Sequence, residues 1–255
     1  MPKLFVISDV HSYFDEMLSA LNEAGFDPNN EQHWLISCGD HWDRGLKPVE
    51  VMNYLMNLPR KVLIRGNHCG LFEECCKRGY PGSHDYGNGT FDTICELGGA
   101  NGGHSFEECC VIAQQRAKPF FDSMVNYLES ARYIFVHSWI PLMNNDGLPA
   151  HYTRNRDFSF NPDWRYAHTY EWEDATWGNP FNLAENGLNQ TGKIIVHGHF
   201  HNSYWWAKNG IGSEWGNDAC FDVCEHNGCI GLDACTAHSH KCNILILEDN
   251  FLDKS

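Results

Sequence analysis

Five short apolar runs in this chain each stop at side chains of the types that can bind metals or phosphates. LFVIS (4–8) leads to Asp9 and His11, WLISC (34–38) to Asp40, Asp43 and Arg44, and KVLI (61–64) to Asn67 and His68. YIFV (133–136) leads to His137, and KIIV (193–196) to His199 and His201. Runs of this length, closed by polar residues, read as buried strands, the first four expected at 4–8, 33–38, 61–65 and 132–137. A chain built this way gathers its reactive side chains along one edge of a sheet. No single group proves much. A Gly-Asp or Gly-Asn pair is usually a turn, Asp9 alone would cap a helix, and a lone Arg44 is most often a surface charge. The dull reading weakens when all five groups follow predicted strands, and together they describe a two-metal hydrolytic site.

The intervals between the runs carry helices. Phe14, Met17, Leu18 and Leu21 recur at helical spacing, and Gly25 stops that pattern. Pro48 opens a second helix with Val49, Met52, Leu55 and Met56 on one face, and Pro59 closes it. Strand and helix alternate, which predicts an α/β class with a mostly parallel sheet. Residues 69–131 are expected to be less regular, with 79–104 forming loops over the site and 118–130 a helix. Residues 139–192 are expected to be irregular, with short helices lining a substrate cleft. Strands are expected at 193–197, 228–235 and 243–248. The whole of 1–255 reads as one domain with irregular insertions at about 69–131 and 139–192.

Composition removes some classes. The 33 acidic residues outnumber 18 lysines and arginines, a formal charge of -15, which disfavours a nucleic-acid partner. No apolar stretch approaches the ~18 residues of a membrane span. The start MPKLFVISD reads as a strand and not as a secretory signal, so cytoplasm is the expected compartment. The twelve cysteines are then expected as reduced thiols. Cys220, Cys224, Cys229, Cys235 and Cys242 lack the spacing of tight zinc-binding pairs. A second metal site from Cys220, Cys224, Cys229 or His226, and disulfides, are the lesser alternatives.

The residue types suit the chemistry. Asp9 and His11 are two apart and can converge on one ion, and Asp40 can bridge two ions with its two oxygens. Asn67 offers a neutral carbonyl oxygen, while His137 and His199 add imidazole nitrogens. A mixed nitrogen and oxygen set suits Mn, Fe or Zn better than Ca. Two ions about 3.5–4 Å apart would hold a bridging hydroxide for in-line attack on phosphorus. Arg44 suits a bidentate grip on phosphate. Asp43 paired with His68 would favour the protonated imidazole, a donor to the leaving alkoxide. Asp43 orienting Arg44 is the alternative.

In order, D-x-H, G-D-x-x-D-R-G, R-G-N-H, a strand-borne His and G-H form a pattern that resembles the calcineurin-like metallophosphoesterase superfamily. Within it the chain is similar to the bacterial and phage members of the phosphoprotein phosphatase branch. Asp9-Val10-His11, Gly39 to Gly45, Arg65 to His68, His137 and Gly198-His199 carry the likeness, and weaker echoes at 89–94, 176–180 and 229–235 extend it over most of the chain. The resemblance implies two packed mixed β-sheets flanked by helices. It implies one metal on Asp9, His11 and Asp40 and a second on Asp40, Asn67, His137 and His199. Mn is the expected metal, with Fe, Zn or Ni also fitting. It implies His68 with Asp43 as the acid pair and Arg44 as a phosphate clamp.

Several positions depart from that pattern. Ser12 stands where Gly is usual, Cys69 where Glu is usual, and Trp139 sits near His137 where a small residue is usual. The family's late phosphate-binding Arg is missing after Arg165; Arg154 and Arg156, or Lys193 or Lys208, are its candidate replacements. His201 follows the broader superfamily, in which a second His ligates metal one; a surface or second-shell role is the alternative.

The expected activity is metal-dependent hydrolysis of phosphoserine or phosphothreonine monoesters, so the expected partner is a phosphoprotein or a small phosphorylated molecule. Symmetrical dinucleoside tetraphosphatases are very similar at these motifs, and aromatic residues at 152–181 and 204–215 would then stack bases, with core packing the equal alternative. A cyclic phosphodiesterase is the reading if His201 is a ligand. An inactive metal-binding scaffold would have lost at least one of Asp9, Asp40, Asn67 or His68, and all are present.

Overall fold

The computed structural model describes residues 1–144 and 157–251. In chain order the strands are β1 (Lys3–Ile7), β2 (His33–Ser37), β3 (Lys61–Ile64), β4 (Met124–Val125), β5 (Leu128–Glu129) and β6 (Tyr133–Phe135). They continue as β7 (Met143–Asn144), β8 (Phe158–Ser159), β9 (Ile194–His197), β10 (Cys224–His226), β11 (Cys229–Gly231) and β12 (Leu245–Glu248). The helices are α1 (Phe14–Glu23), α2 (Pro48–Asn57), α3 (Asn67–Arg78), α4 (Ser83–Asn88), α5 (Thr90–Gly98) and α6 (Phe106–Asp122). They continue as α7 (Thr169–Ala175), α8 (Pro180–Glu185), α9 (Asn202–Lys208) and α10 (Thr236–Ser239).

β7 and β8 form a separate two-stranded antiparallel sheet, and the two five-stranded sheets run β12-β1-β2-β3-β4 and β10-β11-β9-β6-β5. Both are mixed. β1, β2, β3 and β4 are parallel and β12 is antiparallel; β6, β9 and β11 are parallel, with antiparallel β5 and β10 at the edges. The expected pair of mixed sheets flanked by helices is therefore the fold.

Side-chain alternation explains the layers. Leu4 and Val6 of β1 meet Phe135, Val196 and Ile230 between the sheets. Phe5 and Ile7 point the other way, onto Met17 and Leu21 of α1 and Val51 and Leu55 of α2. On the far side, Ile134 and Ile195 pack against Trp172 of α7 and Leu183 of α8. Both faces of each sheet are covered, which is why the strands are apolar at successive positions. The parallel register pairs Ile7 with Ser37 and Ser37 with Leu63, so the loops after β1, β2 and β3 emerge side by side. Phe135 pairs with Val196, so His137 and His199 emerge together from the second sheet.

Three expectations are corrected. Residues 79–104 are largely helical, in α4 and α5. The helix expected at 118–130 runs from Phe106 to Asp122, and 124–129 are short strands. Its buried face is Cys109, Cys110, Ala113, Ala117 and Phe120, mostly small or thiol side chains, and Pro119 lies within it. The buried face of α2 centres on Val51 and Leu55, with Val49, Met52 and Met56 only partly buried against the core.

Candidate metal centre

The loops that carry the site are held in uncommon backbone conformations. Asp9, His11, Ser12, Asp40, Asp43, Arg44 and His199 have φ of 51°, 48°, 62°, 49°, 76°, 64° and 66°. Left-handed backbone at non-glycine residues costs of order 1–3 kcal/mol each and concentrates where geometry is demanded. Hydrogen bonds between neighbouring loops hold it: His11 N donates to Asp40 O at 2.9 Å, Ser12 N to His41 O at 2.9 Å and Asp9 N to Gly39 O at 3.2 Å. Two motif glycines are needed for space. A Cβ on Gly66 would run into the Asp40 carboxylate, and one on Gly198 into the side chains of Ser8 and Asp9.

Asp40 is the hub. Its Oδ2 lies 3.7 Å from His11 Nε2, 3.8 Å from His68 Nε2 and 3.4 Å from His137 Nε2. Two groups of ligand-type atoms share it: His11, Asp40 and His68, and Asp40, His137 and His199. Asn67 joins the second, with Oδ1 2.8 Å from His137 Nε2 and 3.1 Å from His199 Nδ1. Asp9 borders the first, its Oδ1 4.0 Å from His11 Nε2.

These atoms fit metal ions. Nδ1 of His11 is 2.9 Å from Trp42 O, and Nδ1 of His137 is 2.8 Å from Cys38 O. Each Nδ1–H thus donates to a carbonyl and leaves Nε2 with a lone pair, the orienting arrangement of ligating histidines. His137 Nε2 then faces the Asn67 carbonyl oxygen as one acceptor facing another. Ligand atoms on one ion with ~2.1 Å bonds stand about 3 Å apart, which matches. Asp9 Oδ1 is buried with no hydrogen-bond partner, although Oδ2 accepts from Ser8 and from His199 N.

The electrostatics agree. Burial, then the Asp233 and Asp40 carboxylates, push Asp9 well above the usual carboxylate range. Burial raises Asp233 to about 6. Burial also opposes ionisation of Asp40, but His137, His68, His11 and His199 outweigh it and hold its pKa low. Burial depresses His11 and His137, and takes His199 down to about 3. Neutral imidazoles around crowded carboxylates make a set that a cation would relieve. A site suited to two divalent ions, typical of metallophosphoesterases, is therefore present.

The other expected residues fall as follows. His68 Nδ1 is 2.6 Å from Asp43 Oδ2, so Asp43 is paired with His68 and not with Arg44. Burial works against the imidazolium, yet Asp40 and Asp43 raise the His68 pKa above its ordinary value. Arg44 is exposed, and among the described residues no hydrogen bond or ion pair engages its guanidinium. His201 lies outside both groups: Nδ1 is 2.9 Å from Ser203 Oγ, and Nε2 is 3.5 Å from Glu214. Of the other candidate replacements for the missing arginine, Lys193 binds Ser130 O and Glu129, and Lys208 binds Glu185. Arg154 and Arg156 lie outside the described residues. Trp139 is core, 2% exposed. Cys220, Cys224, Cys229 and His226 form no further ligand group among the described residues.

Two residues escaped the sequence reading. Thr90 Oγ1 donates to Asp43 Oδ2 at 2.7 Å, on the oxygen that also meets His68. Asp233 is buried beside Asp9 and Asp40 and accepts from Cys235 N at 2.6 Å. It obeys the rule that exposed the others, an acid just after an apolar run, here CIGL.

Comparisons place the chain among known proteins. A stretch of 73 residues is 36% identical to the asymmetrical bis(5′-nucleosyl)-tetraphosphatase PrpE of Bacillus velezensis, covering 25% of this chain and 29% of that one. A stretch of 65 residues is 40% identical to the symmetrical bis(5′-nucleosyl)-tetraphosphatase of Serratia proteamaculans, covering 25% of this chain and 22% of that one. The chain thus matches under a third of the length of either relative. The cold-active protein-tyrosine phosphatase of a psychrophilic Shewanella shares the fold, with a TM-score of 0.54 at 13% identity, over 97% of this chain and 76% of that one. A sequence profile of the calcineurin-like phosphoesterases matches residues 2–242, nearly the whole chain. A two-sheet fold, a paired Asp/His centre and that match together establish that the chain belongs to the calcineurin-like phosphoesterase family.

Proposed function

We propose that this chain is a two-metal hydrolase that cleaves a phosphoanhydride bond of a nucleoside polyphosphate, and that 1–255 form one catalytic unit. The choice of substrate is carried by the 36% and 40% identical stretches shared with proteins named as nucleosyl tetraphosphatases. Likeness to a protein phosphatase extends to the fold alone. The phosphoserine or phosphothreonine monoester reading uses the same centre and is the competing outcome of the test.

In this reading Asp9, His11 and Asp40 hold one ion, and Asp40, Asn67, His137 and His199 the other, with Mn the expected metal. Divalent ions there would supply Lewis acidity toward a phosphoryl oxygen and lower the pKa of a water. Arg44, unengaged at the exposed edge, grips a phosphate through its fork of donors. His68 keeps its proton because Asp43 and Asp40 face it, and its Nε2 is turned to the centre for donation to the departing oxygen. Thr90 fixes Asp43 and thereby the imidazole. His201 is a cleft-side residue in this account. Among the described residues no helix is long and apolar enough to cross a membrane; the cytoplasm is the proposed compartment.

The test is to strip the protein of metal, restore Mn, and compare a phosphoserine/phosphothreonine peptide with a dinucleoside tetraphosphate. Turnover dominated by the dinucleotide is expected. Turnover of the peptide alone would return the assignment to a protein phosphatase.

A further inference from the structure

A cavity of about 440 Å³ opens beside the centre, lined among others by Arg65, Asn67, Gly70, Asn126, Glu173 and Trp177. Asn67 is both its wall and a member of the second ligand group, so a molecule whose phosphate sits on the centre extends directly into it. We propose that this cavity is a subsite for an adenine nucleoside, taking one base of a dinucleoside polyphosphate. The proposal rests on the nucleotide-hydrolase reading above and adds the identity and place of the base.

Size, a rigid aromatic wall and hydrogen-bonding groups all contribute. The volume lies in the range of small-molecule pockets, about 300–1,000 Å³. Trp172 contributes to the wall and is fixed by stacking on Tyr127, 5.1 Å between centroids and 10° between planes. Trp177 stands edge-on to His199, with centroids 6.2 Å apart, and so bridges cavity and centre. Among the described residues one guanidinium lines the cavity, Arg65, and it is already committed: it donates to Glu73 at 2.7 Å and lies 5.4 Å over the Phe121 ring. Glu74 and Glu173 are exposed lining residues. A further phosphate would be repelled by them, whereas an exocyclic amine would find acceptors.

Asn126 decides between the bases. It is half-buried, and among the described residues no hydrogen bond engages its side-chain amide. An amide offers one donor beside one acceptor, which complements adenine N7 and N6–H₂; guanine presents two acceptors at the same edge. Uracil has neither the exocyclic amine nor the second ring.

Gly70 supplies the means to test this. It lies inside α3, where glycine weakens a helix relative to alanine. A Cβ added there meets nothing within 4 Å, so a larger side chain would occupy cavity space without displacing packed atoms.

The experiment uses the Mn-loaded protein and measures kcat/KM for diadenosine, diguanosine and diuridine tetraphosphates, with p-nitrophenyl phosphate as the reference in each variant. The adenine dinucleotide should be preferred over the guanine one by about 5- to 150-fold, the discrimination of one bidentate amide–base pair. Asn126→Leu should erase that preference. Gly70→Leu should lower the ratio of dinucleotide to aryl phosphate turnover at least tenfold, with thermal melting confirming that the variant folds. Dinucleotide turnover by the wild type, with both variants keeping wild-type ratios, would overturn the subsite and leave the tetraphosphatase reading standing. No turnover of any dinucleotide would overturn both. Selective cleavage of basic phosphopeptides, lost in Gly70→Leu, would replace the nucleoside with a cationic side chain as the occupant.

Discussion

Asp43→Asn tests how the centre controls its acid. Asp43 is fully buried and His68 is 4% exposed, so the pair is shielded from solvent screening. Their contact, 2.6 Å between His68 Nδ1 and Asp43 Oδ2, is a charge-assisted hydrogen bond. Such bonds contribute about 1.5–3 kcal/mol, or roughly one to two pH units. The folded pKa of His68 lies above its unfolded value. Its stabilisation is therefore complete below the unfolded pKa of about 6.5 and is lost as pH rises through the folded pKa. The stability gap between wild type and Asp43→Asn should be about 2 kcal/mol at pH 6 and should narrow by pH 9, measured by urea unfolding at both. The alkaline limb of kcat/KM for the Mn-loaded enzyme should move down by about one to two pH units. An unmoved limb together with an equal gap at both pH values would refute the role of Asp43 in holding the proton on His68.

Three further changes probe the rest of the site. Ser12→Gly should raise stability by about 1 kcal/mol, because it relieves left-handed backbone; the change also removes a buried hydroxyl that lacks a partner, and a higher melting temperature is the readout. Gly66 has φ -106°, which alanine can adopt, so Gly66→Ala acts only through the collision with Asp40; turnover should fall on the order of 10²-fold, with metal content falling in parallel. In the metal-free protein, Asp9 and Asp233 have raised folded pKa values, Asp233 to about 6. The unfolded chain therefore ionises first, and stability should fall as pH rises from about 4 through about 6; urea midpoints across that range in chelator should show the fall, and added Mn should abolish it.

The strand ends were legible because buried parallel strands leave an unmistakable apolar run, and the polar residue after each run has a limited set of uses. Asp9, Asp40, Asn67, His137 and His199 were singled out in this way, and the parallel registers bring them together. The same rule reaches Asp233, whose run is shortened because β10 and β11 form a hairpin around Asn227-Gly228, a turn signal that fixes the strand boundary. α6 was obscured because thiols and alanines form its buried face. His201 is two residues from His199, but α9 begins at Asn202, and that start turns its imidazole toward Ser203 and Glu214. The cavity was legible only in part: residues 139–192 were expected to line a cleft, and 172–177 do line it, but its other walls were not anticipated. Its walls come from α3, from Asn126 and from residues 172–177, segments far apart in the chain that only the packed sheets make neighbours.

The central claim is a pair of ions sharing Asp40. Calorimetric titration of Mn into the metal-free protein, run beside Asp40→Asn, tests it most directly. The account predicts two ions per wild-type chain and at most one in the variant. A wild type that binds a single ion, or a variant that still binds two with wild-type affinity, would contradict it.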